Sequence, residues 1–149
     1  MIRGDATACI AELSKLQDRL ARLSQVPGKT AVLAAPEMTK EVKKEFQQGT
    51  DPQGRPWAPL RPGTRKQHGP PPLTATHGLA DSEKTEVQGL RIKISFAKPY
   101  GRFHQTGYRH GSRFVPARKF VPGMAASPAY KRIFLAASRK AALAAMEGR

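Results

Sequence analysis

The sequence predicts an α+β domain. In it, two N-terminal helices and one C-terminal helix pack on a small, mostly antiparallel β-sheet, with long Pro/Gly-rich loops between them. Three observations carry this expectation. An apolar stripe at helical spacing opens the chain, and an alanine-rich amphipathic segment with a clear start signal closes it. Between them, Leu90-Arg91-Ile92-Lys93-Ile94-Ser95-Phe96 alternates apolar and polar residues, the period of a half-exposed strand.

Residues 5–24 form the first expected helix. Asp5 is its N-cap, and Ala6, Cys9, Leu13, Leu16, Leu20 and Leu23 recur at alternating spacings of three and four. Glu12, Lys15, Asp18, Arg19 and Arg22 lie on other faces. Val26-Pro27-Gly28 is expected to end it, so residues 1–28 are set apart as an amphipathic helix and residues 29–149 as the main domain. The stripe has two readings: docking on the chain's own core, or a coiled-coil contact with a neighbouring subunit, for which under three heptads is short.

A second helix is expected from Thr30 to Gln48, kinked or divided at Pro36. Val42 and Phe46 share a face, and Gly49 suits the C′ position. A loop follows from Thr50 to Pro72, where seven prolines forbid a central strand or continuous helix. Trp57 lies within it and is expected to anchor the loop on the core. After strand 90–96, Tyr100 to Gln105 reads as a short strand or a helical turn, broken by Gly107 to Gly111. The last helix spans Ser127 to Met146, with Ser127 as cap and Pro128 at its first position. Ile133, Phe134, Ala137, Ala141, Leu143 and Ala144 supply its apolar face.

Charge is distributed unevenly. The formal net charge is +15, yet Val87 to Met146 holds twelve Lys or Arg and no Asp or Glu. Such a half seeks an external counter-charge: nucleic acid, an acidic protein or an anionic surface. No helix-turn-helix, zinc-finger or RNP-like pattern is present. Sequence-independent phosphate contact on one side, and a solvated basic surface or one that faces an acidic neighbour in an assembly on the other, remain equal alternatives. A membrane role is disfavoured, because neither terminal helix combines a strongly basic face with bulky interfacial anchors.

Catalytic signals are poor. The chain has no phosphate-cradling Gly-rich loop and no nucleophile elbow. The single cysteine, Cys9, sits on the apolar stripe and excludes an intramolecular disulfide, as suits a reducing cytoplasm. His68, His77, His104 and His110 form no helical metal pair, and the half holding the last two lacks carboxylates to complete a site. Nothing supports paired catalysis by Asp51, Asp81, Glu83 or Glu86. No catalytic residue, metal or cofactor is expected.

Four short patterns occur in order. They are Phe46 with Asp51-Pro52-Gln53-Gly54-Arg55-Pro56-Trp57-Ala58-Pro59-Leu60; Leu73-Thr74-Ala75-Thr76 with Leu79 and Ser82; Tyr100-Gly101-Arg102-Phe103-His104-Gln105-Thr106-Gly107; and Val115-Pro116-Ala117-Arg118-Lys119-Phe120. Together they resemble the virion-morphogenesis, or tail-completion, family of tailed bacteriophages over residues 40–122. This chain has His77, Gly101 and Lys119 where that family usually has Gly, Ala and Pro.

The resemblance implies a non-enzymatic structural protein at the head-to-tail junction. It would be made in the host cytoplasm and carried in the virion. Its partners would be further copies of itself in a ring, expected to be of six, with the head connector or tail terminator and the tail tube. It marks Phe46, Trp57, Leu60, Leu73, Tyr100, His104, Gln105, Gly107, Pro116, Arg118 and Phe120 as structural or interface residues. Arg118 has two readings: a bidentate grip on a neighbour's carboxylate, or a wholly intramolecular role. If DNA passes through the ring, Arg91, Lys93, Arg102, Arg109 and Arg113 are the residues expected to face it. A small basic nucleic-acid-binding protein is the alternative.

Overall fold

The computed structural model describes residues 6–63, 65, 72–73, 77–123 and 127–148. Its elements run α1 (Ala6–Ser24), α2 (Val26–Gln48), a 3₁₀ turn (Ala80–Ser82), β1 (Glu83–Gln88), β2 (Arg91–Phe96), α3 (Gly101–Thr106), β3 (Tyr108–His110), β4 (Arg113–Val115) and α4 (Pro128–Glu147). The α+β class is as the sequence indicates. Asp5, the expected first cap, lies outside the described residues.

Val26-Pro27-Gly28 starts α2 instead of merely ending α1, so the boundary drawn at residue 28 falls inside a helix. Proline has no N–H for the carbonyl of Leu23, which interrupts the ladder, but it fits the first turn of a new helix. Gln25 alone joins the two helices, with φ −84° and ψ −13° in the helical region. Its N–H donates to the Arg22 carbonyl at 3.1 Å, and the Lys29 N–H donates to the Gln25 carbonyl at 3.0 Å. The chain therefore runs on from α1 into α2 without reversing. Pro36 does not divide α2. The carbonyl it deprives belongs to exposed Val32, where water can serve it. Gly49, at φ +67°, closes the helix through its N–H to the Glu45 carbonyl.

Helix α4 lies antiparallel to α2, since Tyr130 neighbours Glu45 while Ala145 meets Arg22, whose Nε donates to its carbonyl at 3.1 Å. The buried residues along this contact are Ala31, Ala34 and Ala35 on one side and Ala137, Ala141 and Ala145 on the other. Small side chains let the two backbones approach closely. The expected α4 face is thus rotated: Phe134 and Leu143 are exposed, and Tyr130 and Ala145 are buried in their place. Ser127 caps as expected, its Oγ accepting from the Tyr130 N–H.

Among the described residues, the sheet is two separate antiparallel hairpins. In the first, Glu83 pairs with Phe96, Glu86 with Lys93 and Gln88 with Arg91, with Gly89 at φ +61° in the turn. Ile92, Ile94 and Phe96 pack toward the core, as the alternation requires. In the second, Tyr108 pairs with Val115 and His110 with Arg113. Tyr100 to Gln105 contributes to a helix, α3, not a strand. The core gathers Met38, Val42, Phe46, Trp57, Leu79, Phe120 and Tyr130. Phe46 is its hub, with ring centroids 5.5 Å from Trp57, 5.4 Å from Phe120 and 6.1 Å from Phe96.

Candidate functional site

The four sequence patterns converge on one knot of loops beside this core. Asp51 sets the first turn: Oδ1 accepts from the N–H groups of Gln53 at 2.9 Å and Arg55 at 2.8 Å, and Oδ2 accepts from Arg55 Nε at 2.8 Å. The returning chain seats Trp57, whose backbone N–H donates to the Gly49 carbonyl at 2.7 Å. Its indole Nε1 donates to the Lys119 carbonyl at 2.7 Å, which ties the first pattern to the fourth.

Arg118 strengthens that tie. It is buried, its Nε donates to the Ala58 carbonyl at 2.9 Å, and its Nη2 donates to the Pro59 carbonyl at 3.3 Å. The guanidinium fork thus lies within its own chain, between two carbonyls of the Pro-rich loop. The third pattern joins through Gln105. Its Nε2 donates to the Val121 carbonyl at 3.0 Å, and its Oε1 accepts from the N–H groups of Phe120 and Val121 at 3.0 and 3.2 Å. The Arg118 N–H donates to the His104 carbonyl at 2.7 Å. Burial and then the Arg118 charge hold the His104 imidazole below its ordinary pKa.

Gly107 is required where α3 meets this segment. It sits at φ +74°, and a Cβ there would lie 2.9 Å from the Ala117 nitrogen and 3.0 Å from the Val115 oxygen. Pro116 and Leu60 are half-buried beside the knot, Phe120 is in the core, and Tyr100 stacks edge-on against His104. From the second pattern, Leu79 is buried and Leu73 packs partly against the core. Thr74 to Thr76 lie outside the described residues. His77 adopts φ +51°, the conformation that glycine takes freely. Gly101 is buried, and a Cβ there would meet Leu79 Cδ1 at 3.2 Å.

Sequence reasoning missed Glu45. It is 4% exposed, and its carboxyl lies beside the Tyr130 hydroxyl with no other hydrogen-bond partner among the described residues. Burial first, then the charge of Glu41, push its pKa up to about 8. Beside it, the Tyr130 hydroxyl is pushed far above its ordinary value by burial and by Glu45. The signal was present: Met38, Val42 and Glu45 follow the helical spacing of four and three.

The five basic residues expected to face DNA are all exposed. Arg91 and Lys93 lie on one hairpin, with Lys93 opposite Glu86 across the strand pair. Arg109 and Arg113 lie on the other, and Arg102 stacks over the Phe103 ring at 4.7 Å on α3. Among the described residues, no cluster of His, Cys, Asp or Glu is placed to hold a metal ion, and no helix is long and apolar enough to cross a membrane.

The other notable surface is α1. Residues 7–21 are exposed without interruption. Ile10, Leu13, Leu16, Leu20 and Leu23 are each 43–63% exposed, and Cys9 is exposed with them. Of the two readings of this stripe, docking on the chain's own core is not what the structure shows.

No curated protein and no solved structure matches the chain significantly. The model of the phage virion morphogenesis family matches residues 11–140, a span that takes in all four patterns and the buried ties between them. The chain therefore belongs to the phage virion morphogenesis family.

Proposed function

We propose that this virion-associated protein completes the tail at the neck, as a ring of six copies between the head connector or terminator and the tail tube. It works by assembly and carries out no chemical step. The observation that carries the reading is the uncovered apolar stripe of α1 on a body whose motif residues are tied to one another internally. Such a molecule offers a partner surface, and the motifs supply rigidity to hold it.

Exposed Arg91, Arg102, Arg109 and Arg113, from the acid-free half, would meet DNA phosphates in the ring's lumen. Lys93 contributes less, because Glu86 lies opposite it.

Removing the gene from its phage tests the reading. The expected result is filled heads and separate tails that fail to join, with an antibody against the protein labelling the neck of normal particles. Normal infectious particles without the gene would refute it. The same exposed arginines favour a second reading, a free basic nucleic-acid binder. A stable monomer whose DNA affinity falls steeply from 50 to 200 mM salt, by roughly a thousandfold for ~6 neutralised phosphates, would select that one.

A further inference from the structure

The α1 stripe has a counterpart on the same chain. A groove of about 650 Å³ runs between the first turns of α2, the last turns of α4 and the tip of the β1–β2 hairpin. Its walls are apolar: Gly28, Val32, Leu33, Leu90, Ala141 and Ala144. Val32 is 61% exposed and Leu90 72%, so two large apolar side chains stand at its edge uncovered.

We propose that α1 of one copy lies in this groove of the next copy, a head-to-tail contact repeated around the ring. The proposal deepens the ring reading above and rests on it. Three observations select this occupant. The chain's own α1 cannot fill the groove, because Ser24 and Gln25 form one end of it and the backbone there is helical, so α1 leads away. The five uncovered α1 side chains offer on the order of 500 Å² of apolar area, near the upper end of what a monomer leaves in one patch and over half of one partner's share in a standard interface.

Finally, stripe and groove are different surfaces of one chain. Their union is heterologous, the kind of contact that closes into a ring when its rotation allows. Helix α1 is 19 residues long, about 28 Å, enough to reach across to a neighbour.

Cysteine cross-linking of the full chain tests this. Two variants are made in a Cys9→Ser background, one with Leu16→Cys on the stripe and one with Val32→Cys in the groove. Both replaced side chains are exposed, so folding is spared. Under mild oxidation, the mixture is expected to form two-chain disulfides at least tenfold faster than either variant alone. A chain carrying both cysteines is expected to give a ladder ending at the ring's full subunit number. Rings by mass photometry with no Leu16→Cys to Val32→Cys link would overturn the groove contact and leave the ring reading standing. Rapid self-linking of the Leu16→Cys variant would also overturn it, by showing α1 paired with α1. A chain that stays monomeric at all concentrations would sink both.

Discussion

Replacing Glu45 with glutamine is expected to flatten the stability of this protein between pH 6.5 and 8. Glu45 is buried beside the Tyr130 hydroxyl with no other hydrogen-bond partner among the described residues, and its pKa rises from 4.5 to about 8. The folded state therefore holds a proton that the unfolded chain has already released. Unfolding then releases a proton throughout that interval, so stability falls as pH rises from 4.5 toward 8. The interval spans about 3.5 in pH, and at ~1.36 kcal/mol for each the ceiling is ~5 kcal/mol. Between pH 6.5 and 8 the loss is ~1.5 kcal/mol, or about 1 M in the urea midpoint. His104 acts in the opposite direction but lower down: its folded pKa is depressed, so its stability is lost as pH falls through 6.5. The assay is urea unfolding followed by far-UV circular dichroism at half-unit pH steps. The wild type should lose midpoint steadily above pH 6.5. Glu45→Gln, close in shape and without a charge to bury, should hold level and exceed it by ~3 kcal/mol or more at pH 8. Parallel curves for the two proteins would refute the reasoning.

Two further expectations concern the knot. Arg118→Lys keeps the charge but loses the planar fork on the Ala58 and Pro59 carbonyls, so it should cost ~2 kcal/mol in urea titration, and Arg118→Ala more. A lysine variant of unchanged stability would show that the fork does not hold the loop. His77→Gly and Gly107→Ala should move in opposite directions. His77 occupies φ +51°, so glycine should be neutral to stabilising by up to ~1 kcal/mol, whereas the Gly107 Cβ would meet backbone under 3 Å away and cost well over ~2 kcal/mol. Thermal melts report both, at roughly 2–4 °C per kcal/mol for a chain of this size.

Much of the fold was legible because its signals are local. The stripe of α1, the alternation of β2 and the Ser127-Pro128 start of α4 each depend only on residues a turn or a pleat apart. The errors came where a local signal has two outcomes. Pro27 both ends one helix and begins the next, and the sequence does not say how short the join is. Phe134 and Leu143 are as apolar as any core residue, yet the α2–α4 contact selects alanines, because closeness of backbones there outweighs the area of larger side chains. The patterns around Trp57, Gln105 and Arg118 were visible as patterns, but their partners lie 62, 16 and 60 residues away, beyond any spacing rule.

The sequence by itself determined the class of the protein, the positions of most elements, the unbalanced charge and the family likeness. Each follows from composition or short-range order. Only the tertiary structure decided which apolar surfaces find partners within the chain. The stripe of α1 and the alanines of α4 are both amphipathic faces. Packing antiparallel to α2 covers the α4 alanines, while the run-on at Gln25 leaves α1 projecting from the end of that pair with its leucines uncovered. Amphipathicity fixes that a face must be buried, and only the geometry of the whole fixes whether the chain can bury it alone.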